Sequence, residues 1–145
     1  MNNLEYARQQ FRTGQYTCVL CRGEITYTSN ANGISPLLDF MENGCNLHGF
    51  SAADKIVGKA AAMLFALAGI TELHAQVMSK SAAEVLRIHK IAFSYDILTE
   101  HIINRKGDDI CPMEQAVAQI DMADLQAAYI AISAKREELR KEVHQ

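Results

Sequence analysis

The segment SAADKIVGKAAAMLFALA, residues 51–68, decides how this chain is laid out. Ser51-Ala-Ala-Asp54 has the form of a capping box, with Asp in place of the usual Glu. Ala53, Ile56, Val57, Ala60, Ala61, Leu64, Phe65 and Ala68 then recur at helical spacing. The pattern predicts one helix over 51–68, ended by Gly69. Its second half, with Ala62, Met63, Ala66 and Leu67, is apolar all round. It should therefore be covered on both sides.

On the C-terminal side, Leu73–Met78 alternates as a strand, and Ser81-Ala-Ala-Glu84 opens a helix with a full capping box. Ile91–Tyr95 alternates again. Ile97–Arg105 fits strand or helix equally. Lys106–Asp109 is a turn, and Cys111-Pro112 starts a short helix. Asp121 caps a long last helix over 121–145, with Leu125, Tyr129, Ile132, Leu139 and Val143 on one stripe. On the N-terminal side, Asn2–Arg12 reads as a helix stopped by Gly14. Tyr16–Cys21 and Glu24–Thr28 flank Arg22-Gly23, a hairpin signal. Asn30–Gly33 is a loop. Ser35-Pro36 then reads as an N-cap and first helical residue, of a helix ending near Asn43-Gly44. The order is α-β-β-α-α-β-α-β-α-α. A hairpin followed by β/α alternation implies a single α/β domain over 1–145, a mixed sheet with helices against it. The helix starts at Ser51, Ser81 and Cys111 are evenly spaced, but the residues between them do not match, so no repeat is implied.

Composition narrows the class. The chain has 145 residues, 49% hydrophobic and 21% charged, which suits one globular core. A net charge of −3 and a pI near 5.9 give no basic face for nucleic acid. MNNLEYARQQ lacks the apolar core of a signal peptide, and Ala60–Ile70 is too short to span a bilayer. A cytoplasmic protein with no membrane partner is expected. Its four cysteines are then reduced thiols.

The chemistry-bearing residues begin with Asp54-Lys55-Ile-Val-Gly58-Lys59. A carboxylate in a first helical turn favours the helix dipole. Lys55 and Lys59 would lie one turn apart, opposite the apolar stripe. Gly58 inside a helix costs about 1 kcal/mol relative to Ala, so close packing or a ligand must favour it. Asp54, Lys55, Gly58 and Lys59 are the candidate ligand-binding residues; a capping Asp, solvated lysines and a packing glycine are the plainer reading. There is no GxxxxGK[ST] phosphate loop.

SAADKIVGKAAAMLFALAGI, the alternating strand after it and INRKGDDICPMEQAV resemble a bacterial family of unknown function that is similar in fold to the cytidine deaminases. The resemblance runs from about Tyr16 to Ala118. It implies a three-layer α/β/α domain with a five-stranded mixed sheet. Zinc deaminases carry H-A-E or C-A-E at one core helix start and P-C-x-x-C at the next. The matching starts here read Ser51-Ala-Ala-Asp54-Lys55 and Ser79-Lys-Ser81-Ala-Ala-Glu84, with no Cys or His. A zinc-activated water needs about three protein ligands. No metal, no cofactor and no zinc-dependent deamination are therefore expected.

Cys111-Pro112-Met113-Glu114 puts a thiol at an N-cap, where the helix terminus favours the thiolate, with Glu114 in reach to cap or to take a proton. These two are the candidate catalytic residues; a buried small side chain before a proline is the alternative. Cys18-Val-Leu-Cys21 lies on a strand, where residues three apart face opposite ways, so core filling is expected. Cys45-Asn-Leu-His48 is half of a metal motif without a second half. His74, His89 and His101 have no partners in sequence. GxGxxG, GxSxG and HExxH are absent.

Three functions fit. The first is a metal-free binding or regulatory domain for a small, nucleotide-like ligand. The second is a metal-independent enzyme with Cys111 as nucleophile, assisted by Glu114 or Lys59. The third is a structural module, a homo-oligomer built on the last helix.

Overall fold

Two β-rich runs either side of a tight turn start the sheet. In the computed structural model, which describes residues 1–143, β1 (Cys18–Arg22) and β2 (Ile25–Ser29) pair antiparallel. Arg22 faces Ile25, so the turn is Gly23-Glu24, and Gly23 takes the left-handed φ of +60° that this connection needs. Before the hairpin comes α1 (Asn3–Thr13), whose Asn2 and Glu5 form a capping box. After it comes α2 (Ser35–Glu42).

Residues 51–68 are not one helix. They form β3 (Ser51–Val57) and α3 (Lys59–Ala68), and Gly58 is the N-cap between them. The physical reason is burial on both faces. β3 lies inside the sheet between β1 and β4, and Ser51 to Asp54 are all buried. Such a strand shows no alternation, and its small residues fit a helical period just as well. The expected box at Ser51 and the turn-apart placing of Lys55 and Lys59 fall with that helix.

β4 (Glu72–Ser79), α4 (Lys80–Ile88) and β5 (Ala92–Thr99) follow. The sheet order is β2-β1-β3-β4-β5, antiparallel on its β2–β1–β3 side and parallel across β3–β4–β5. Alternation and turn signals along the chain mark four of these strands; β3 is the fifth. The two parallel crossovers step in one direction across the sheet, and α3 and α4 pack together on one face. α5 (Pro112–Val117) and α6 (Leu125–Val143) pack against α3. The apolar half of α3 is covered only in part: Ala62, Met63, Leu64 and Phe65 are buried, while Ala66 and Leu67 near the helix end are half-buried. α1 lies on the opposite face over β1, β3 and β4.

Smaller boundaries also move. Ser35 is the first residue of α2, capped by Ile34 without a side-chain bond. α4 is capped by Ser79, the last residue of β4, whose Oγ accepts from Ala82 N; the box at Ser81–Glu84 is not made. Asp121 accepts from Ala123 N in a preceding turn, and Asp124 caps α6 by accepting from Ala127 N. Ile97–Thr99 belong to β5, while 101–105 lie outside helix and strand, with one bridge from Ile103 to Ile110. Residues 144–145 of the expected last helix lie outside the described residues, as does the Val143 side chain.

The sheet divides the core. Cys18, Leu20, Ala52, Leu73 and Ala75 belong to the large cluster with α3 and α4. Val19, Cys21 and Ala53 pack with Ala7 of α1. The two cysteines of the CxxC therefore sit on opposite faces, as strand geometry requires.

Candidate functional site

Parallel strands end where their crossover helices begin, and ligands of open α/β sheets gather at that edge. Here the edge carries the ends of β3 and β4, the starts of α3 and α4, and the segment after β5. At the β3–α3 junction the first N–H groups of α3 have no partner within the helix. Glu114, from α5, supplies one. Its Oε1 accepts from Lys59 N at 2.7 Å and its Oε2 from Ala60 N at 2.8 Å. The carboxylate fills the space beside Gly58, where a Cβ would collide with it. That close approach is what favours glycine at 58; its φ of −99° would suit any residue. Lys59 is buried and its Nζ donates to Ile120 O at 2.6 Å, tying the junction to the chain between α5 and α6.

Glu114 has its carboxyl pushed above the ordinary range. Burial outweighs the opposing pull of the two N–H groups, Lys59 and His101. Both oxygens are engaged with α3. Cys111 is the N-cap of α5, half-buried, with no side-chain capping bond; its N–H donates to Ile102 O at 2.8 Å.

Asp54 stands apart from this cap. It sits on β3 opposite Cys18 of β1 and is 9% exposed. Its Oδ1 accepts from Lys55 N at 2.7 Å, and no cation pairs with it among the described residues. Burial lifts its pKa from 3.8 to about 7, against the backbone N–H groups of Lys55 and Ile56. Burial, and then the nearby Asp54, raise the Cys18 thiol as well. Lys55 is exposed. The structure thus joins Gly58, Lys59 and Glu114 directly. No hydrogen bond or ion pair links Asp54, Lys55 or Cys111 to that group among the described residues.

Sequence reading missed a neighbouring feature. A depression of about 550 Å³ opens between α4 and the end of β5, lined by Lys80, Ser81, Glu84, Arg87, Glu100 and His101 among others. Lys80 pairs with Glu100 across it. Lys80 and Ser81 stood next to an expected helix start, but only the register of β4 against β5 brings residues 98–101 beside them. No group of three or more His, Cys, Asp or Glu residues is gathered to hold a metal ion among the described residues. No helix among them is long and apolar enough to cross a membrane.

The chain is thus an α/β domain with a mixed five-stranded sheet and a polar edge where the parallel strands end. It belongs to the family described as a domain of unknown function, DUF1893, whose profile matches residues 6–135. A crystal structure of a DUF1893 family protein from Thermotoga maritima superposes with a TM-score of 0.84 at 28% identity. The match covers 92% of this chain and 90% of that one. No curated protein matches the chain.

Proposed function

We propose that this protein is a small-ligand-binding or regulatory domain on a cytidine-deaminase-like scaffold, and that it works without zinc chemistry. The observation that carries the reading is the depression between α4 and the end of β5. It combines an open volume with Lys80 in the first turn of α4, Arg87 in its last turn and His101 after β5, basic side chains that suit a phosphate or carboxylate. Both crossover helices have N-terminal N–H groups already engaged, Lys59 N and Ala60 N of α3 by Glu114 and Ala82 N of α4 by Ser79, so the basic side chains of the depression carry the reading. Asp54, Gly58, Lys59, Cys111 and Glu114 form the adjoining part of the edge in this reading. A buried carboxyl such as Asp54 can donate or accept a hydrogen bond near neutral pH, which suits the paired polar edge of a nucleotide-like ring.

Thermal-shift measurements with inorganic phosphate, nucleosides, nucleotides and sugar phosphates test this. A phosphate-bearing compound is expected to raise the melting temperature, and Lys80→Ala and Arg87→Ala to abolish that rise. No shift with any of them at millimolar concentration would overturn the proposal.

A further inference from the structure

His74 lacks a partner in sequence but has two in space. β4 and β5 run parallel with His74 directly beside Ser94, and Asp96 lies two residues further along β5. His74 Nδ1 is 2.7 Å from Ser94 Oγ, and Nε2 is 3.3 Å from Asp96 Oδ1. The imidazole is buried while Asp96 is largely open to solvent.

The contacts assign the tautomer. The Asp96 carboxylate 3.3 Å from Nε2 favours the form with the hydrogen on that nitrogen. Nδ1 then holds the lone pair, and the Ser94 hydroxyl donates to it. This is the arrangement of a nucleophile, a base and an orienting carboxylate, with the ring turned so that Nδ1 rather than Nε2 meets the hydroxyl.

We propose that His74, Ser94 and Asp96 make Ser94 an acyl-accepting nucleophile toward small carboxylic esters, a site separate from the ligand edge described above. Ser94 Oγ attacks the ester carbonyl carbon and its proton passes to His74 Nδ1. The tetrahedral adduct collapses, the bond to the leaving alcohol breaks, and His74 returns the proton to that oxygen. Water then attacks acyl-Ser94 by the same route in reverse, giving the free acid and restoring the hydroxyl. Asp96 is a positioning residue.

The surroundings favour a neutral base. Burial, Arg8 and Arg12 of α1 hold His74 below its ordinary pKa, against the opposing pull of Asp96. Arg8 Nε is buried without a hydrogen-bond partner. The same positive field favours negative charge developing on a carbonyl oxygen.

The test is 4-nitrophenyl acetate with the full chain, the acyl group located by mass mapping. Acylation is expected on Ser94, absent in Ser94→Ala and slowed about 100-fold in His74→Gln. Asp96→Asn should slow it and move the pH midpoint of acylation downward, because Asp96 favours the protonated ring. The unsubstituted protein gives an independent reading: a fluorophosphonate should label Ser94 when folded and not in urea. Acyl groups found only on cysteine or lysine, or a Ser94 acylated equally fast in His74→Gln, would overturn the proposal.

Discussion

The carboxylate of Glu114 stands in the space that a side chain at Gly58 would need. Both oxygens are held there by the N–H groups of Lys59 and Ala60. Two residues more than fifty positions apart therefore depend on each other. Gly58→Ala should expel the carboxylate and lower stability by about 2 kcal/mol, since a charge-assisted bond is worth roughly 1.5–3 kcal/mol. Glu114→Ala should cost a similar amount. In the Glu114→Ala background, Gly58→Ala should cost under about 1 kcal/mol, only the lower N-cap preference of Ala. Urea unfolding of the four proteins measures the coupling. Additive losses would show that the two positions are independent.

Ser79 ends β4 and caps α4 at once. Its hydroxyl is fully buried and accepts from Ala82 N at 3.1 Å. Ser79→Ala leaves that N–H unsatisfied in the core and should cost about 1–2 kcal/mol. Ser81 only shares a hydroxyl contact with Ser79, so Ser81→Ala should cost less. Equal losses in thermal denaturation would contradict this placement of the cap.

The difference between these two serines shows what sequence could and could not reveal. Ser81 with Glu84 has the form of a capping box, and Ser79 has only a lysine and a serine after it. A strand running straight into a helix leaves no loop to mark the boundary, so the local pattern favours the wrong serine. Residues 51–57 escaped for a related reason. Alternation is written only where one face meets solvent, and β3 meets protein on both. α1, the hairpin and α5 were legible because their caps, turn and proline act locally. Gly58 and Glu114 were each singled out, but their contact depends on α5 returning to the start of α3, which no local spacing encodes.

Arg136 of α6 is buried between two acids of α2, with Nη1 at 2.8 Å from Asp39 and Nη2 at 2.6 Å from Glu42. The acids are half-exposed and can be hydrated if the arginine goes. The guanidinium cannot. Arg136→Met, which keeps apolar volume, should therefore be milder than Asp39→Asn combined with Glu42→Gln. The latter leaves a buried cation unpaired and should cost about 3 kcal/mol or more. Chemical denaturation of both variants decides the order, and a reversed order would refute the argument.

Asp54 makes a pH-dependent statement about the whole fold. Its folded pKa, about 7, lies above the ordinary 3.8. Between these values the folded chain holds a proton that the unfolded chain has released. The unfolded state thus binds fewer protons, and stability must fall as pH rises through the window. The favourable contribution is complete below about pH 4 and gone above about 7. Glu114 is shifted the same way, but it is present in both proteins of the comparison and cancels. Asp54→Asn removes the titration. Its stability relative to the unsubstituted protein should therefore rise between pH 4 and pH 7, by at most a few kcal/mol, about 1.4 kcal/mol per pKa unit. Any fixed offset from the new amide is the same at every pH and does not affect the slope. Urea unfolding of both proteins across that range reads it directly. A difference that stays constant with pH would mean that Asp54 is ionised in the fold, with its charge compensated by a partner.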